Sequence, residues 1–260
     1  MILELIVVRN NSTRWNSVYL FIHRALRLKS RLIAFILDNI DELALDNLDE
    51  KDWQVLKDTE TILAPFFSLT KRLEGHAADG DHGSVWEALP GVEALIQHLD
   101  KMKKIYTQET HPHLATSINL AWSKLDAYYK KLDDSPAYAA ALLCHPSFRW
   151  RYFSNKWVGQ LRKYQAPMKK ALQKLYDDNY QPQSKEEEEQ TGEQEGPDFL
   201  DSYLEDILPG AILEDQYTSY AFGPQTPILP GTLYEHWSKE SAIPAMRQMA
   251  YDHLSIPAMS

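Results

Sequence analysis

Thr13-Arg14-Trp15-Asn16-Ser17 stands where a short apolar run, Ile2 to Val8, gives way to a long stretch of helical period. Just upstream, Asn10, Asn11 and Ser12 are turn formers and helix starters, because their short polar side chains hydrogen-bond nearby backbone N–H groups. Downstream, apolar residues recur at helical spacing from Val18 to Leu37, so the joint predicts a β-like segment followed by a helix over about Ser17 to Asn39. An Arg-Trp pair at such a joint has two uses. The guanidinium offers fixed donors to phosphate or carboxylate, and the indole offers a flat face to an unstacked base. The plainer reading is a Trp that anchors the first helix to the core beside a surface Arg. The pair alone leaves both open.

Outward from the joint, the helical period persists. The outer face of the first helix carries Arg24, Arg27, Lys29 and Arg31. Asp49 is placed to cap a second helix that runs with Trp53, Leu56, Ile62, Phe66 and Phe67 inward, bent at Pro65 and ended at Gly75. Ser84-Val85-Trp86-Glu87 reads as a capping box opening a third helix towards Ile105. A fourth spans about His113 to Leu132, and a short Ala-rich helix runs from Ser135-Pro136 to Leu143, stopped by His145-Pro146. A long helix is expected from Ser154 to Asp178 and a last helical piece from Leu233 to Leu254. Apart from residues 2–8 nothing alternates with period two, so the fold class is mainly α.

Residues 181–230 change character, with Glu186 to Glu189 followed by repeated Gly and Pro. Few apolar residues gather there, so most of this stretch is expected to be a solvated linker. It also distorts the charge balance. The chain of 260 residues carries a net charge of −10, yet residues 186–215 hold twelve acids and no base. Residues 1–185 carry 22 acids and 25 bases, and Trp122 to Lys174 alone holds eleven bases against three acids. The acidic stretch hides a mildly basic body, and the body's sign is what bears on a polyanionic partner.

Composition sets further bounds. The length suits one large or two modest domains. No window approaches about 18 uncharged apolar residues, which predicts no membrane span, and the N-terminus does not read as a signal peptide. The single cysteine, Cys144, excludes an intrachain disulfide and fits a reducing compartment, nuclear or cytosolic.

Constellations for chemistry are few. His76, Asp79, Asp81 and His82 crowd one loop, but their spacing fits no structural zinc pattern and thiolates are absent. Cys144-His145 resembles a nucleophile beside its base only on paper, because sequence neighbours rarely face each other; a buried structural cysteine is the expectation. No Gly-rich phosphate loop and no G-x-S-x-G occurs. The basic, aromatic-interleaved run that includes Arg149, Trp150, Arg151, Lys156 and Trp157 suits nucleic-acid contact through cations on phosphate. The alternative is a pair of amphipathic helices whose Lys-rich faces are merely wet.

Taken in order, several phrases resemble the hAT-type DNA transposases of the hobo/Activator superfamily. They are Thr13-Arg14-Trp15-Asn16-Ser17 with Tyr19-Leu20 and Arg24-Ala25-Leu26, then Leu73-Glu74-Gly75 and Ser84 to Pro90. Lys124-Leu125, Tyr128-Tyr129, the Ala-rich run ending His145-Pro146 and Trp150 to Trp157 continue the match. Trp237, Ile243-Pro244, Met249-Ala250 and Leu254 to Ser260 resemble the start of that family's C-terminal dimerisation region.

The resemblance implies a remnant of an RNase H-like core with the Arg-Trp motif at 1–16, a helical insertion domain at 17–180, an acidic linker at 181–230 and a truncated dimerisation region at 231–260. It makes Arg14 and Trp15 candidates for contact with the DNA end, beside the basic candidates Arg149, Arg151 and Lys156. It makes Leu233, Tyr234, Trp237, Ile243, Pro244, Met246, Met249 and Leu254 dimerisation candidates. Without their usual partner elements, Trp237, Met246, Met249 and Leu254 are expected to be exposed.

The departures weigh as much. The family's core holds a divalent metal such as Mg2+ on two aspartates and a glutamate, and no such ligand falls in this sequence. Both aspartates, the zinc-finger domain and a Cys-x-x-His motif lie upstream of the Arg-Trp segment in the family, so Cys144 is not that motif's counterpart. The glutamate lies just beyond the Leu-Ser-Ile-Pro segment, past Ser260. The implied protein is a nuclear, catalytically inactive fragment without a cofactor, partnered by itself or a related transposase chain and by transposon-end DNA, with no membrane. The alternative is part of an active transposase that obtains its acids from missing sequence or a full-length partner.

Overall fold

The structure is a computed structural model that describes residues 15–74, 85–132, 135–181, 215–229 and 231–258, with the side chains of Trp15 and Asp46 outside the described set. The β-like run Ile2 to Val8, Arg14, the His76 to His82 loop, the capping Ser84 and the acidic stretch 186–214 therefore lie outside the described residues.

What is described is helical. The α-helices are α1 (Trp15–Arg27), α2 (Lys29–Asp38), α3 (Ile40–Leu43), α4 (Glu50–Glu74), α5 (Ala88–Ile105), α6 (Pro112–Lys131), α7 (Ala137–Leu143), α8 (Arg149–Lys156), α9 (Gln165–Asn179), α10 (Gln216–Phe222), α11 (Leu233–Lys239) and α12 (Pro244–Leu254). No strand forms among the described residues, and none of their helices is long and apolar enough to cross a membrane. Two compact units divide the chain. Of the described residues, 15–74 and 90–130 make the first, and 85–89, 131–132, 135–181, 215–229 and 231–258 the second. The division cuts across the expected 17–180 stretch.

In the first unit α1 lies on α4. Tyr19 stacks on Phe67 with ring centroids 4.6 Å apart, and His23 Nδ1 meets Glu60 Oε1 at 2.6 Å. The expected single helix from Ser17 to Asn39 is broken at Leu28, whose φ and ψ are −98° and 3°. The Leu28 N–H is shared between the carbonyls of Arg24 and Ala25, a tightened last turn that buries the Leu28 side chain. A second break comes at Asn39, whose side-chain amide donates to Phe35 O at 2.8 Å and competes with the helix for that carbonyl.

Asp49 caps α4 as its position predicts. Its Oδ1 accepts from the Asp52 N–H at 2.8 Å, and its own N–H donates to Asp52 Oδ2 at 2.9 Å, a reciprocal box. The helix then runs on through Pro65 to Glu74. Ile62, Leu99, Met102, Tyr106 and Ile118 from α4, α5 and α6 form the core, with Phe66, Trp122 and Leu125 against it. The Tyr106 hydroxyl donates to buried Asp58, which also accepts from Gln54.

The second unit is built around α7. Ala139 to Cys144 are all buried, and their small side chains let neighbouring elements come close. The expected helix from Ser154 to Asp178 is instead two. Val158 is extended and Gly159 has a φ of +59°, a left-handed position that glycine adopts without strain. That corner sinks Trp157 into the core, and the Gln165 amide donates to Phe153 O and Trp157 O, satisfying carbonyls at the end of α8.

Within the expected linker 181–230 the described residues include one helix that packs into the second unit: Tyr217, Tyr220 and Ala221 of α10 are buried, and Asp215 caps the helix by accepting from Tyr217 N–H. Two tyrosines and an alanine at helical spacing supply the apolar surface that the Pro and Gly around them obscure.

Candidate functional site

Of the two units, the second gathers the polar and aromatic groups on which a site could be built. The corner between α7 and α8 is its centre. Pro146 follows His145 and forbids further helix, and Arg149 opens α8 with a φ of +48°, uncommon for a residue with a side chain. The segment after α10 is stitched to this corner. Thr226 N–H donates to Pro146 O at 3.0 Å, Gln225 Nε2 donates to the carbonyls of Ser147 and Phe148, and Ile228 N–H donates to Ser147 Oγ.

Arg149 belongs to this stitching. Its Nη1 donates to Tyr220 O at 3.1 Å, and its guanidinium carbon sits 4.2 Å from the centre of the Tyr220 ring. Gly223 makes room for it. A β-carbon there would lie 2.4 Å from Ser219 O and 3.2 Å from Arg149 Nη1.

Cys144 is fully buried, and burial pushes its thiol well above the ordinary range. His145 is buried between Trp86 and Phe148, with ring centroids 4.5 and 4.4 Å away, and its Nδ1 accepts from the Ser147 N–H. Desolvation lowers its pKa to about 4. A protonated thiol next to a neutral, spoken-for imidazole is not a nucleophile with its base, as the sequence reading expected.

Above this core lies an open groove of about 360 Å³, lined by Trp150, Arg151, Ser154, Phe222, Gly223, Pro224 and Gln225. The Trp150 and Phe222 rings lie in its wall, tilted against each other with centroids 5.8 Å apart, and Lys169 Nζ sits 4.2 Å over the Phe222 ring. Residues 135–176 hold eight Lys or Arg and no Asp or Glu. Ring faces flanked by cations suit an anionic or planar group, and the described residues that line the groove include no acid. Among the described residues no three His, Cys, Asp or Glu side chains converge, so none of them fits a divalent-metal site.

The predicted residues scatter. Arg14 and the Trp15 side chain lie outside the described set. Arg149 is half-buried and committed to Tyr220 and Thr226, while Arg151 and Lys156 are exposed. Trp237, Met246, Met249 and Leu254 are buried inside the second unit, contrary to the expected exposure. The reason is α7 and α10: their small and aromatic residues supply, within the same chain, the partner surface thought to be missing. Leu233 and Ile243 are half-buried, and Tyr234 and Pro244 are exposed.

Sequence reading missed Tyr217 and Tyr220, whose signal was their three-residue spacing inside a Pro-rich stretch. No protein-family model, curated protein or solved structure matches the chain.

Proposed function

We propose that the chain is a helical module derived from a hAT-type transposase, catalytically inert by itself, that acts in the nucleus through protein association and contacts DNA through the basic face of its second unit. One observation carries this reading. Most of the phrases that resemble the family between residues 85 and 254 share one core although scattered in sequence; Lys124-Leu125 and Tyr128-Tyr129 fall instead in the first unit. Val85 and Leu89, Ala139 to His145, Phe153 and Trp157, and Trp237, Met249, Ala250 and Leu254 are all buried in the second unit. Their shared burial supports reading these phrases as one unit.

Two-metal phosphoryl transfer needs carboxylates to hold both ions, and no counterpart of the family's three acids occurs within residues 1–260, which supports reading this stretch as inert by itself. DNA contact is supported by Arg151, which lines the Trp150–Phe222 groove, and by Lys156, exposed on the same helix. The test uses the purified chain with Mg2+ or Mn2+ and a duplex carrying transposon terminal repeats. The expected result is salt-sensitive retardation of the duplex without nicking, and a mass in solution above 30.0 kDa. Metal-dependent strand breakage by the chain alone overturns the reading.

A further inference from the structure

Four of the eight expected association residues of the C-terminus are buried, and α2 is where the first unit leaves an exposed helix face. Helix α2 buries no residue. Its outward face presents Arg31, Ala34, Phe35 and Asp38, all exposed, with Phe35 at 59%. Their spacing of three and four residues puts them on one side of the helix. Among the described residues, neither Arg31 nor Asp38 makes an ion pair.

The order of charge along the strip is the decisive feature. Arg31 stands in its first half and Asp38 in its second, and the pair has its midpoint between Ala34 and Phe35. A two-fold axis through that midpoint sets Arg31 of each copy opposite Asp38 of the other. The same axis brings the two phenylalanines together over the small Ala34 side chains. A parallel pairing would set like charges against each other, so the strip also selects direction.

We propose that α2 is the interface of a homodimer, two copies crossing antiparallel about Ala34 and Phe35. The occupant is a second copy because the partner must carry the reversed charge order, and this chain supplies it. The proposal rests on the association half of the functional reading and moves that association from the C-terminus to α2. It does not depend on transposase ancestry.

Charge reversal tests it, with mass read by light scattering over a concentration series at low salt. The wild-type chain is expected to rise from 30.0 kDa towards twice that value. Arg31→Asp alone and Asp38→Arg alone are expected to remain at the monomer mass, each placing like charges across the axis. Mixed in equal amounts, the two variants regain a dimer, because each then meets its complement; this recovery also shows that both are folded. Phe35→Ser weakens the wild-type dimer roughly tenfold or more. A wild-type chain that stays monomeric overturns both this interface and the association reading. Association that survives both single reversals, or a mixture that fails to recover, overturns the α2 interface and leaves association by another surface standing.

Discussion

The indole N–H of Trp237 donates to the carbonyl oxygen of Cys144 at 3.0 Å, joining α11 to the end of α7. The Tyr220 hydroxyl donates to the same oxygen at 2.9 Å. Both donors come from segments whose composition does not announce a core: one follows a Pro-rich stretch, the other sits within it. The carbonyl is fully buried, so its lone pairs have no water to fall back on. Tyr220→Phe is expected to cost about 1 kcal/mol, and Trp237→Phe about 1–3 kcal/mol because volume is lost as well. Removing both donors orphans a buried acceptor, so the double variant loses more than the sum of the singles by about 1 kcal/mol or more. Urea unfolding of the four proteins in this cycle measures the excess. An additive double variant means that the shared carbonyl does not couple the two rings.

Gly223 allows the close passage of the chain over the corner it closes. A β-carbon there would meet Ser219 O, a backbone atom of α10 that cannot rotate away, and would crowd Arg149 Nη1. Gly223→Ala is therefore expected to destabilise the second unit by roughly 1–3 kcal/mol, the range for forced overpacking. Gly159→Ala has open space around its β-carbon and is penalised only through its φ of +59°, by roughly 1–2 kcal/mol. Chemical denaturation of the two variants, followed through tryptophan fluorescence, separates a steric from a conformational cost.

How far the fold could be read beforehand depended on whether the deciding force was local. The Asp49 cap and the stop at His145-Pro146 are set by a few neighbouring residues, and both stand where their sequence places them. The Ala-rich run likewise proves to be the centre of the second unit. The corner at Trp157 to Gly159 was hidden, because apolar residues keep helical spacing on both sides of it and burial of the Trp157 side chain decides the break. Tyr217 and Tyr220 were hidden for the opposite reason. Flanking proline and acid dilute their signal, and the surface they fill is contributed by α7, α9 and α12, far away in sequence. The basic residues of the candidate site were legible by type, whereas the division of labour among them required the fold.

That division of labour is testable. Arg151 and Lys156 are exposed, whereas Arg149 is tied to Tyr220 and Thr226. Arg151→Ala and Lys156→Ala are each expected to weaken DNA retention evenly across sequences and to reduce the slope of log affinity against log salt by about one. Their unfolding midpoints should match wild type. Arg149→Ala should behave in reverse, lowering the unfolding midpoint first because Tyr220 O loses its donor and the Tyr220 ring its cation. Titrations at several salt concentrations, paired with thermal melts, distinguish the two classes. Equal salt slopes for Arg151→Ala and wild type would remove Arg151 from the contact surface.

His145 gives the second unit a dependence on acid. Burial between Trp86 and Phe148 lowers its pKa from 6.5 to about 4. Between those two values the unfolded chain binds a proton at this position and the folded chain does not, so stability falls as the pH drops through that window. Above about pH 6.5 the group contributes no slope. A tenfold loss of proton affinity is worth about 1.4 kcal/mol, so the lost stability approaches roughly 3 kcal/mol near pH 4. Half-buried His236 is lowered in the same sense, chiefly by desolvation, and adds to the slope with the same sign. His145→Gln keeps an acceptor in reach of the Ser147 N–H but cannot titrate. Urea midpoints measured from pH 4.5 to 7.5 are expected to decline on acidification in wild type and to decline less in His145→Gln. Parallel profiles for the two proteins would place the acid sensitivity outside this imidazole.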